Sequence, residues 1–244
     1  MRRLLAAAVL CASVACKEKP PPAAPRTGTP GRTGSAAIVG IVRFRGIVPP
    51  ASRISRAAFA ECNKTPPRDK AVLVSGDGAV GEVFVWVKQG LPDGDYPIPT
   101  DPVAVDQRGC EFLPRVAGVR AGQPVLFRND DQTLHNVHAL GSGSNRFNFG
   151  MPLTGMEVKR QLTEPQVMVT IGCDVHPWMR ANLGVVRHPF YAVTGADGKF
   201  ALNDLPAGTY VVEAWQEAAG RIEQSVTVHD GETAALDLTY AGQR

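Results

Sequence analysis

The chain has 244 residues, room for one large or two small domains, and 44 % of them are hydrophobic, enough to build a core. Gly 25 and Pro 20, against only 7 % aromatics, suit many short strands joined by turns. The formal charge is +3, and Arg2 and Arg3 supply two units of it; without them 24 basic residues (26 less two) face 23 acidic ones, which excludes the strongly basic surface of a nucleic-acid binder.

The N-terminus reads as an export signal over residues 1–15. "MRR" is a basic start, "LLAAAVLCASVA" an apolar core too short to span a bilayer permanently, and "KEKPPP" follows at once. The end of the run, "SVAC", resembles the lipobox of bacterial lipoproteins, with Ser13 where Leu or Val is usual. That resemblance implies lipidation of Cys16 and attachment to a bacterial membrane facing the periplasm or exterior. The alternative is an ordinary signal peptide cut nearby. Residues 16–36 have no apolar periodicity and read as a disordered tether.

Beyond the tether the chain reads as all-β. "AIVGIVRFRG" (37–46) and "GEVFVWVKQG" (81–90) are strand candidates, the second alternating Val83, Val85 and Val87 against Phe84 and Trp86. One short helix is predicted around "SRISRAAFAEC". "PDGDYPIPTDP" (92–102) is a loop by composition, and 111–140 reads as strand, turn, strand, turn, strand. "GSGSNRFNFGMPLTG" (141–155) reads as irregular. "PQVMVTIGC" and "ANLGVV" flank a loop, and 190–216 and 220–240 carry five further strands split by "GADGK", "LPAG" and "HDGE".

That flanked loop carries the chemistry. In "VTIGCDVHPWMRANLGVV" (169–186), Cys173, His176 and Met179 stand three apart, and Pro177 argues for a loop over a helix. Thiolate, imidazole and thioether form a soft donor set that favours copper over magnesium, calcium or manganese. Structural zinc prefers four Cys/His ligands, iron–sulfur clusters need more thiolates, and covalent haem needs C-x-x-C-H. A trigonal copper site lacks one further His. His135 and His138, in "DDQTLHNVHAL", are the candidates; an odd spacing on a strand sends them to opposite faces, so a regular strand delivers only one. Cys11 leaves with the signal and Cys16 takes lipid, so Cys62 and Cys110 remain as a candidate disulfide, and Cys173 is left unpaired.

"FRNDDQTLHNV" followed by "CDVHPWMRANLGVV" resembles a cupredoxin of the amicyanin and plastocyanin type, with a likeness covering about residues 103–187. The resemblance implies a Greek-key β-sandwich binding one type 1 copper ion through His135, Cys173 and His176, with Met179 axial. It implies that Asn136 ties the two ligand segments together near the thiolate. It also implies single-electron transfer through an exposed port at His176, Pro177 and Trp178, although Trp178 serves equally well as packing under the loop. His188 is expected to have no ligand role, and Met151, Met156 and Met168 to fill core or loop.

"VTGADGKFALNDLPAGTYVVEAW", with "IVGIVRFRG" and "GEVFVWV", resembles the carboxypeptidase regulatory-like domain, a transthyretin-like β-sandwich. On that reading a cupredoxin of residues 95–189 is inserted into a sandwich of 37–94 and 190–241, and a Cys62–Cys110 bridge staples the two. The simpler order is a long cupredoxin followed by a C-terminal module. No G-x-S-x-G, H-E-x-x-H or P-loop pattern occurs, and no enzyme activity is expected. The expected protein is a monomeric, exported, lipid-anchored electron carrier with a redox partner protein. Copper trafficking or buffering, or a metal-free adhesion scaffold, are the alternatives.

Overall fold

The computed structural model describes residues 28–48, 50, 55–64 and 72–242. The signal, Cys16 and most of the tether lie outside the described residues. No helix among the described residues is long and apolar enough to cross a membrane. The chain is all-β, and its strands gather into two sandwiches.

The first sandwich is built from the two ends of the described chain. Strand Ala36–Arg45 pairs antiparallel with Lys199–Leu205 and, on its other edge, in parallel with Thr233–Ala235 and then Leu238–Ala241. The facing sheet runs Tyr191–Val193, Phe84–Gln89, Gly208–Gln216, Gly220–Val228. Period-two alternation explains the packing: Ile38, Val42 and Phe44 from one sheet meet Val83, Val85, Val87, Tyr210 and Val212 from the other in one core. Each fully buried Val or Phe contributes about 1.5–3 kcal/mol of apolar burial.

The second sandwich occupies the middle of the chain. Its larger sheet runs Arg146–Met151, His135–Leu140, Gln166–Gly172, Arg180–Val186, Val116–Arg120. Its smaller sheet runs Glu157–Gln161, Pro124–Asn129, Val103–Gln107, Phe112–Leu113. Val105, Phe127, Val137, Ile171 and Leu183 fill the space between.

Several contacts join the sandwiches, Arg115 with Glu217 at 2.8 Å among them, and two devices rest on close packing or a buried charge. Phe84 turns away from the first core and lies on Gly184 of the second, where an added Cβ would meet its ring atoms at 2.5–2.7 Å. Tyr191 uses Gly118 in the same way, so these two glycines are required by close approach. The second device is Arg120, which is buried and reaches both segments where the chain passes between sandwiches. It donates to the Tyr96 carbonyl at 3.3 Å and to the Arg187 carbonyl.

Two expectations fail. Among residues 55–64 the only helical element is a 3-10 turn at Cys62–Lys64, where a short helix was predicted. So short a helix is marginal in water by itself. Here Arg56, Phe59 and Cys62 are each held by the neighbouring sandwich, and the local backbone bonds are turns, such as Phe59 N–H to the Arg56 carbonyl at 2.8 Å. The stretch read as irregular contains the edge strand Arg146–Met151, whose Phe147 and Phe149 both lean on Phe127.

Candidate metal centre

The loop 173–179 joins two strands of the larger sheet, Gln166–Gly172 and Arg180–Val186. Gly172 pairs with His138 and Ile171 with Ala139, which sets the start of the loop beside the start of strand His135–Leu140. His135, 41 residues before His176 in the chain, is thereby brought to the loop.

One ligating atom each from His135, Cys173 and His176 lies within 4.8 Å of the others, and all three residues are buried. His135 Nδ1 and His176 Nδ1 face each other at 3.0 Å, and Cys173 Sγ stands 3.8 Å from His176 Nδ1. Met179 is buried in the same apolar cluster as Cys173, and its N–H donates to the His176 carbonyl at 2.9 Å, closing the loop. His138 goes to the other side of the strand, half-exposed, with Nδ1 against Asp174 Oδ1 at 2.9 Å.

Asn136 crosses from the strand His135–Leu140 to the loop 173–179. Its Oδ1 accepts from the Asp174 N–H at 2.6 Å, and its Nδ2 donates to Asp174 Oδ2 at 2.8 Å. Burial alone would raise the Cys173 thiol, but hydrogen bonds from His135 and from the backbone N–H groups of Asn136, His176 and Val175 outweigh it and lower its pKa. Burial opposes the charged form of His135, yet the Asp131 carboxylate and the Cys173 sulfur raise its pKa overall. His176 is pushed down to about 4 by burial, with His135 and Arg56 adding to the effect.

Asp131, which nothing in the motif singles out, is a further contributor. Its Oδ2 accepts from His135 Nε2 at 2.9 Å and from the Cys110 N–H at 2.8 Å, and its Oδ1 accepts from the Gly109 N–H at 2.7 Å. Gly109 (φ +63°) and Cys110 (φ +56°) are both left-handed, which turns two successive N–H groups into an anion nest for this carboxylate. A non-glycine residue there costs roughly 1–3 kcal/mol and persists only when its surroundings over-determine it. Cys110 meets that condition: its carbonyl accepts from Trp178 Nε1 at 3.0 Å and its sulfur is bonded to Cys62. The carboxylate fixes His135 through Nε2 and so aims Nδ1 at the cluster.

The expected exposed port at His176 is overturned. Its side chain is 0 % exposed. Phe59 stands edge-on to its ring with centroids 4.7 Å apart, Trp178 lies 5.2 Å away, and the Cys62–Cys110 disulfide completes the cover. Arg56 holds that cover in place, donating to the Gly109 carbonyl at 2.9 Å, pairing with Glu111 at 2.8 Å and lying 5.5 Å over the Trp178 ring. Trp178 is thus packing within the cover, and of the three predicted port residues only Pro177 is exposed. Beside the cluster lies a cleft of about 320 Å³, lined among others by His138, Leu140, Cys173, Pro177 and Met179. His188 lies at the junction of the sandwiches, stacked 6.0 Å from Trp86.

Neither a protein-family model nor a curated protein sequence matches the chain. Among solved structures, part of the chain is similar to a Cu-containing nitrite reductase (NirK) from Thermus scotoductus SA-01, at 23 % identity and a TM-score of 0.32 over 41 % of this chain and 26 % of that one. It is similar to the Cu(I) form of an amicyanin point mutant, at 20 % identity and 0.31 over 36 % and 85 %. It is also similar to a purple cupredoxin from Nitrosopumilus maritimus, at 19 % identity and 0.30 over 34 % and 98 %. The chain spans about a quarter of the reductase's length, and each likeness covers less than half of this chain.

Proposed function

We propose that this protein is a single-electron carrier holding one type 1 copper ion at His135 Nδ1, Cys173 Sγ and His176 Nδ1, with Met179 as the axial donor. The observation that carries the reading is the convergence of two imidazole nitrogens and one thiol sulfur, buried together, with the thiol's pKa lowered by the hydrogen bonds it receives. The donor set fits the ion: soft sulfur and imidazole in a dry, three-cornered cluster, with a buried thioether in the same loop. The ion would supply a one-electron couple. The protein's own residues do the rest. Asp131 fixes the His135 tautomer, Asn136 binds the ligand loop to the ligand strand, and the cover of Phe59, Trp178 and the disulfide excludes water. Donors held by a β-sheet and a short closed loop move little, which keeps the reorganisation accompanying electron transfer small.

With His176 covered, we place partner approach at the Cys173–Met179 cleft. The chain is read as exported and anchored by lipid on Cys16, on the strength of its N-terminal sequence. The first sandwich, built from the two ends of the described chain, is read as scaffold.

Adding Cu(II) to the purified protein should give an intense visible thiolate-to-copper band, lost in Cys173→Ser. Colourless protein that binds no Cu(II) would sink the reading.

A further inference from the structure

The proposed centre employs Nδ1 of His176 and leaves its second ring nitrogen without a role. That nitrogen, Nε2, belongs to a fully buried side chain and has no hydrogen-bond partner. Burying such a group unmatched is unfavourable, so its surroundings call for an explanation. They are sulfurs. The Sγ atoms of Cys62 and Cys110 and one ring nitrogen of His176 lie within 4.8 Å of one another, and all three residues are buried. Since Nδ1 is turned to His135 and Cys173, Nε2 is the nitrogen left for this second group.

We propose that Cys62 and Cys110, when reduced, form with His176 a second soft-metal site, one for Cu(I), back to back with the first. The site is masked while the disulfide is intact. Unmasking is thiol–disulfide exchange with a dithiol reductant: its thiolate attacks one sulfur of the pair, a mixed disulfide forms, and its second thiol resolves it. The reductant leaves as a disulfide, and two electrons and two protons have passed to Cys62 and Cys110. Cu(I) then displaces the two thiol protons into solvent, with no change in the oxidation state of the metal. Two thiolates and one imidazole make a three-donor soft set suited to Cu(I) and short of the four donors of structural zinc.

Access follows from local structure. The backbone bonds described for the segment 56–63 are turn-type, such as Cys62 N–H to the Phe59 carbonyl at 3.0 Å, and it belongs to none of the sheets, so we take it as the segment whose local opening lets a reductant reach the buried sulfur. A neutral imidazole has a single lone pair, so His176 serves one site at a time. Sharing that ring makes the two sites a transfer pair in which Cu(I) passes from the sulfur of Cys173 to those of Cys62 and Cys110.

The test uses the full chain carrying Cys173→Ser, which removes the first site's thiolate, kept anaerobic and titrated with Cu(I) against a chromophoric Cu(I) chelator. After reduction the variant should retain a single equivalent and quench Trp178, which sits against both His176 and Cys110. Oxidised, it should retain none. Adding Cys62→Ser and Cys110→Ser should abolish retention. Equal retention by oxidised and reduced forms, or retention that survives loss of both cysteines, overturns the proposal. If Cys173→Ser does not fold, His135→Ala serves as the background, and in the wild type reduction should raise the chelator concentration needed to strip Cu(I); an unchanged concentration counts against the site. The outcome is separable from that of the electron-carrier reading, which stands or falls on the visible band of oxidised wild-type protein with Cu(II).

Discussion

Asp131→Asn tests whether the carboxylate sets both the turn and the ligand. Three N–H groups converge on Asp131, from Gly109 at 2.7 Å, Cys110 at 2.8 Å and His135 Nε2 at 2.9 Å. An amide has one oxygen, so its NH2 must face at least one of these donors. The less damaging orientation puts oxygen at the Oδ2 position and keeps Cys110 and His135, leaving the Gly109 N–H without an acceptor. That orphan costs about 1–3 kcal/mol, and the two surviving bonds each lose about 1 kcal/mol on becoming neutral. Partial exposure of the carboxylate (15 %) allows water to recover some of this. The expected net loss is about 2–4 kcal/mol, a fall in Tm of roughly 5–15 °C at 2–4 °C per kcal/mol. Copper retention should fall about 10- to 100-fold, because His135 is less firmly aimed. Thermal unfolding of the metal-free protein and copper competition against a chelator measure the two effects. The wild type's advantage should also narrow in acid. The net effect on Asp131 is a lowered pKa, since His135 and the two N–H groups outweigh burial, so its stabilisation is complete above the usual carboxylate range and lost as pH falls through the folded value. An unchanged Tm together with unchanged copper retention would refute the reasoning.

Met179→Leu should keep the visible band and raise the reduction potential, since loss of a thioether donor weakens the hold on Cu(II) more than on Cu(I); a lowered potential in voltammetry would count against the axial assignment. Cys62→Ser with Cys110→Ser should reduce folding stability by roughly 2–4 kcal/mol in denaturant titration, and an unaltered midpoint would show that the bridge closes no loop that matters. Burial pushes His188 from 6.5 down to about 4, with Arg120 adding to the effect, so the unfolded chain binds its proton first. Stability of the copper-free protein should therefore be complete above pH 6.5 and fall towards pH 4. His188→Phe should flatten that slope, His176 supplying the remainder in the same window, and a slope identical to wild type would exclude His188 as a contributor.

The strands of both sandwiches could be read largely from alternation, because one face of each is buried and the period is two. The edge strands Arg146–Met151 and Glu157–Gln161 escaped that reading. Edge residues face solvent on one side and carry a weak pattern, and it takes Phe127 from another strand to give Phe147 and Phe149 a surface to cover. Asp131 was hidden for a similar reason. Nothing in "NDDQ" tells a solvated turn from a carboxylate that receives a nest and a histidine, since the nest depends on φ at Gly109 and Cys110.

The donor types were determined by the amino-acid sequence alone. Cys173, His176 and Met179 stand in one seven-residue loop, and local chain geometry can bring such neighbours together without help from the rest of the fold. The resemblance names His135 as the fourth candidate, but the pairing that brings it to the loop and the exposure of the loop were decided only in three dimensions. His135 arrives because Gly172 pairs with His138 across the sheet, and His176 is closed off because Phe59 and Cys62 are carried onto it from a distant part of the chain. Burial is a sum over neighbours that need not be near in sequence, so a residue whose cover comes from far away looks exposed until the tertiary structure supplies the cover.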